Sequence, residues 1–170
     1  MSIQDLGSIG ELIAALATLA TLIYLAAQVR QNTRAIKSAT FQNITAEMGK
    51  NVEPISANAD LAAILVKGMS SPGSLSAEER LRLSSVLVAS FRRMESVYVQ
   101  NKLGSIDDQL QAGFELSMVT LLATPFGGEW WNEAKVTFYG PFVAHMDQRI
   151  QSGELLASHP SMLYDHQDAT

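Results

Sequence analysis

The stretch Leu12–Val29, LIAALATLATLIYLAAQV, limits what this chain can fold into more than any other. It runs for 18 residues without a charge, a Pro or a Gly, between Glu11 and Arg30. An uncharged apolar run of this length reads as a membrane-spanning helix. At about 1.5 Å per residue it reaches roughly 27 Å, a little short of a hydrocarbon core of about 30 Å. Ile9, Gly10 and a snorkelling Arg30 close that gap. Leu, Ile and Tyr carry the insertion, because Ala and Thr contribute little to transfer into lipid. Two other readings exist for such a run: the buried central helix of a soluble bundle, and a secretory signal peptide. The segment before the run holds Asp5 but no Lys or Arg, and no Ala-x-Ala-like cleavage pattern follows, so the signal-peptide marks are missing. The expectation is an uncleaved anchor.

The flanks orient the anchor. Arg30, Arg34 and Lys37 follow the span and nothing basic precedes it. Positive residues near a span favour the cytoplasmic side, which predicts a periplasmic N-terminus and a cytoplasmic body. The same three residues are candidate headgroup contacts, since basic side chains near the surface attract anionic lipid. Within the span, Gly10, Ala14, Ala17, Thr21, Tyr24 and Gln28 recur at spacings of four and three and so form one stripe, with Leu12, Leu16, Leu19 and Ile23 opposite. Lipid supplies little hydrophobic drive between helices, so small residues that allow close packing make the better contact. The small stripe is the candidate oligomer seam, with the Leu-rich stripe toward lipid and a closed cyclic homo-oligomer as the simplest assembly. In a large ring Thr21 and Gln28 would face a pore instead, which is the channel alternative.

The remainder of the 170 residues suffices for one compact domain. A net charge of −5 argues against a nucleic-acid partner, which needs a basic face. The absence of cysteine excludes disulfides, thiolate metal sites and thiol catalysis. The predicted organisation is an anchor and juxtamembrane segment over 1–35, a helical bundle over 36–157 and a flexible tail over 158–170. The fold class is all-α, since no run alternates with period two. The anchor should continue as one rod through Val52, with Phe41, Ile44, Met48 and Val52 as its apolar face and no breaker before Gly49 and Pro54. A short helix capped by Ser56 or Asn58 buries Leu61, Ile64 and Leu65, and Gly68–Ser74 reads as a loop. Ser76 and Glu79 have capping-box spacing and open the longest soluble helix, with Leu83, Leu87, Phe91, Met94 and Tyr98 inward. Gly104 suits a left-handed cap. Ser105 or Asp107 caps the next helix, with Leu110, Phe114, Met118, Leu121 and Leu122 inward. Pro125 and Gly127–Gly128 should stop it, before a short helix from Glu129 to Thr137. Pro141 fits the first position of a last helix, with Phe142, Val143, Met146 and Ile150 inward and Gly153 at its end.

Chemistry-bearing motifs are sparse. His145, His159 and His166 are too scattered for a metal site, which needs three or four convergent ligands. Asp107–Asp108 suits the positive end of a helix dipole. Ser84, Ser85 and Ser90 have no His at a spacing that suggests a catalytic base. Two constellations stand out. Arg92, Arg93 and Glu95 place a carboxylate beside an apolar face, either as the floor of a ligand pocket or as an ion pair fixing helix register. Trp130–Trp131, followed by Phe138, Tyr139 and Phe142, could line a pocket, meet a partner or membrane interface, or pack the end of a bundle. Arg92, Glu95, Trp130 and Trp131 are therefore the candidate pocket. No residue is assigned to catalysis and no cofactor is expected.

The run IGELIAALATLATLIYLAAQVRQNTRAIKSAT resembles the opening of a widespread group of uncharacterised bacterial proteins, in which an apolar span precedes a QxRQNTRA-like segment, here Gln28 to Ala35. The Gln100–Gly104 turn, GGEWW and FYGPFVAHMDQRI are similar to the same group, so the resemblance covers most of the chain. It implies an architecture and a bacterial inner-membrane setting, and no catalytic residues. The expected function is that of a non-enzymatic single-span protein that oligomerises or serves as an accessory subunit of a membrane complex. The alternative is a cytoplasmic bundle that binds a lipid or small apolar ligand.

Overall fold

A computed structural model describes residues 3–152. The predicted tail over 158–170 and the helix end at Gly153 lie outside them. The described residues are all-α, without a strand. The elements are α1 (Ile3–Ala57), α2 (Ala59–Ser70), α3 (Ala77–Lys102), α4 (Asp108–Leu122), α5 (Pro125–Ala134) and α6 (Gly140–Ser152). By packing, the chain divides into a unit ending at Thr40 and a second beginning at Phe41.

The first unit is helix alone. Its residues are exposed throughout the apolar run, and none of the 18-residue window that qualifies as a span is buried. The window is therefore not a buried core helix among the described residues. The helix continues past the expected stop, because Gly49 and Pro54 are both accommodated within α1. Thr18 and Thr21 turn their hydroxyls back onto the carbonyls of Ala14 and Ala17, at 2.9 and 2.8 Å. Each hydroxyl proton is thus already satisfied inside the helix.

The second unit is a bundle. Here α1 contributes Ile44, buried, and Met48, partly buried, while Phe41 and Val52 are exposed. The expected apolar face is therefore turned. Asn51 and Glu47 take its place beside α3, where Arg93 donates to Asn51 Oδ1 at 2.7 Å and lies 3.7 Å from Glu47. Neighbouring bundle helices meet as α2 with α3 and α5, α4 with α3, α5 and α6, and α6 with α3.

The caps explain where the helices start. Asn58 Oδ1 accepts the Leu61 N–H at 3.1 Å, Asp107 Oδ1 accepts that of Leu110 at 2.8 Å, and Thr124 Oγ1 accepts that of Gly127 at 3.1 Å. At α3 both halves of the capping box form, with Ser76 Oγ accepting from Glu79 N–H at 3.2 Å and Glu79 Oε2 accepting from Ser76 N–H at 2.7 Å. Past the end of α3, Gly104 takes φ +72°, the left-handed conformation that glycine adopts without a Cβ penalty.

Two boundaries and one helix face differ from expectation. Gly68 is not loop but the buried last turns of α2, where a Cβ would come within 2.7 Å of Leu83 Cδ2. Pro125 does not merely stop α4; it occupies the first turn of α5, which includes Gly127 and Gly128. That corner is tight: a Cβ on Gly127 would lie 2.0 Å from the Leu121 carbonyl oxygen. The inner face of α4 is also rotated, with Gln111, Glu115, Val119 and Leu122 buried while Leu110, Phe114, Met118 and Leu121 are only partly covered.

Candidate functional site

Two polar constellations and one apolar surface remain once the packing is accounted for. The first constellation lies where α3 meets the turn after α5. Arg92 donates from Nη1 to Glu95 Oε2 at 2.9 Å and from Nη2 to the Thr137 carbonyl at 2.7 Å, with its guanidinium 4.4 Å above the Phe138 ring. Glu95 Oε1 accepts the Tyr139 N–H. A shallow groove of about 570 Å³ runs over these residues with Ser96 and Val99. Its charged groups are spent on strapping the 135–139 segment to α3.

Trp130 and Trp131 are not in that groove. They are buried beneath it, 5.1 and 5.3 Å from the Phe91 ring, with Phe138 and Phe142 completing the cluster. Each indole N–H has a partner: Ser84 Oγ for Trp130 at 3.0 Å and Asp147 Oδ1 for Trp131 at 2.8 Å. Lys135 closes on the other oxygen of Asp147 at 3.1 Å. The four expected pocket residues thus separate into a surface strap and a core.

The second constellation was not anticipated. Glu115 is buried on α4, and its Oε1 contacts His145 Nε2 of α6 at 2.6 Å and the Gln111 amide one turn away. Arg149 Nε lies 3.4 Å from Glu115 Oε2. The spacings of four, Gln111–Glu115 and His145–Arg149, mark one face on each helix but do not link the two helices. Three side chains, Gln111, His145 and Arg149, gather on one buried carboxyl, as a buried polar group requires. Among the described residues, no three or more of His, Asp and Glu converge as a metal site.

The apolar surface is the first unit itself. All six residues of the expected seam are exposed, as are Arg30, Arg34 and Lys37. A Cβ added at Gly10 would meet nothing within 4 Å. Fold and surface together define a class: an all-α chain whose N-terminal helix is long and apolar enough to cross a membrane. The chain matches no family model, no curated protein and no solved structure.

Proposed function

We propose that this chain is a bacterial inner-membrane protein anchored by α1 that works by assembling, with copies of itself or as an accessory subunit of a membrane complex, and not as an enzyme. The observation that carries the reading is the apolar window of α1, none of which is buried among the described residues. So large an apolar surface needs lipid or protein around it. The resemblance at Gln28–Ala35 supports the same setting, and Arg30, Arg34 and Lys37 favour residues 1–11 in the periplasm and the bundle in the cytoplasm.

Assembly follows from the two faces of the span. Gly10, Ala14 and Ala17 permit close backbone approach. Because the Thr21 hydroxyl proton is taken by Ala17, Tyr24 and Gln28 are the groups on the stripe left to donate across the seam. Arg92 and Glu95, the charged groups of the bundle groove, are paired within the chain, so the ligand-binding alternative draws no support from them. Ala14→Leu with Ala17→Leu should reduce the oligomer to monomers in mild detergent, read by native mass spectrometry. An unchanged oligomer mass would reject the seam, and release of the protein from membranes by alkaline carbonate would reject the anchor.

A further inference from the structure

The stripe of Leu12, Leu16, Leu19 and Ile23 does not end with the apolar run. It continues at the same helical spacing through Arg30, Arg34 and Lys37. In a helix unbroken from Ile3 to Ala57, turning about 100° per residue, these seven residues fall within a sector of about 60°. The opposite stripe continues through Gln31 and Ala35 and stays uncharged. One face of the first unit is therefore apolar along the span and cationic just beyond it.

The cations have no carboxylate to answer them locally. No Asp or Glu occurs between Glu11 and Glu47, so none lies within a helical turn of Arg30, Arg34 or Lys37. All three are exposed. From Arg30 to Lys37 the helix rises about 10 Å, enough to cross the headgroup layer of roughly 5–8 Å on one side of a bilayer. Two arginines one turn apart offer planar forks that match phosphate oxygens, and the lysine adds a point charge.

We propose that this face is a site for one anionic phospholipid in the leaflet at the C-terminal end of the span. Arg30, Arg34 and Lys37 take its phosphate and headgroup charge, and its acyl chains lie along Leu16, Leu19 and Ile23. The site rests on the membrane reading above, because it exists only if α1 spans a bilayer. It lies opposite the candidate seam, so assembly leaves it open.

The test is native mass spectrometry of the full chain from nanodiscs of phosphatidylcholine mixed with phosphatidylglycerol. Each cation near the surface is worth on the order of fivefold, so retained lipid should favour phosphatidylglycerol by about 100-fold. Arg30→Gln, Arg34→Gln and Lys37→Gln together should abolish that preference. Adding Gln31→Lys, Asn32→Lys and Ala35→Lys to that triple variant restores the net charge off that face and should not restore retention. Recovery there would show simple charge attraction and overturn the site. Inorganic phosphate should leave the retained lipid in place, and displacement by it would mean a general phosphate site. A chain that inserts and retains both lipids equally overturns the site alone. A chain that enters no disc overturns the membrane reading with it.

Discussion

Phe91 and Arg92 are neighbours with opposite tasks. Phe91 is fully buried against both tryptophans, whereas Arg92 is half exposed and binds the turn outside. Phe91→Ala leaves a void among rings that cannot easily collapse. It should cost about 3–5 kcal/mol, measured by denaturant unfolding of the bundle. A loss below about 1 kcal/mol would mean that the site repacks. The buried faces of α3 and α6 were legible at single residues because Leu83, Leu87, Phe91, Met94 and Tyr98, like Phe142 and Met146, are apolar at helical spacing. Glu115 was not legible. A carboxylate in a helix that also carries Asp108, Gln109 and Gln111 looks like a surface residue, and two of the groups that gather on it, His145 and Arg149, stand 30 and 34 positions away in sequence.

At the scale of elements, the helix starts were readable where a side chain caps them, as at Asn58, Ser76 and Asp107. Pro125 and the Gly127–Gly128 pair were misleading because the same residues that end one helix can begin another when Thr124 caps it. Gly127→Ala tests that corner. With the Leu121 carbonyl in the way, α4 and α5 must separate. The cost should reach the upper part of the usual overpacking range, at least about 2 kcal/mol, seen as a lowered unfolding midpoint. The start of α3 carries a pH dependence. The Lys67 ammonium, then the Ser76 N–H, hold the Glu79 carboxyl below its ordinary value of 4.5. A carboxyl lowered in the folded state stabilises fully above its unfolded value and loses that contribution as pH falls through the folded one. Amides in the first turn of α3 should therefore exchange faster as pH drops below about 4.5, after correction for intrinsic exchange. Glu79→Gln should remove most of that acid response. An equal response in the variant would assign it elsewhere.

At the scale of the molecule, the chain is two units with different needs: a helix whose apolar window is exposed among the described residues, and a bundle with a buried core of its own. Protease added to right-side-out vesicles should spare the bundle, and protease added to inverted vesicles should digest it; the reverse pattern would refute the orientation. The all-α class and the long first helix were legible in composition and periodicity. The turning of the Phe41–Val52 face was not, because Arg93 of α3 selects it. The burial of Trp130 and Trp131 has an optical consequence. They are the only tryptophans in the chain, and both sit in the bundle core. Indole emission should therefore be blue-shifted in the native protein and red-shift only when the bundle opens. Insertion of α1 into lipid should leave it unchanged. The fluorophore separates the stability of one unit from the environment of the other without any label.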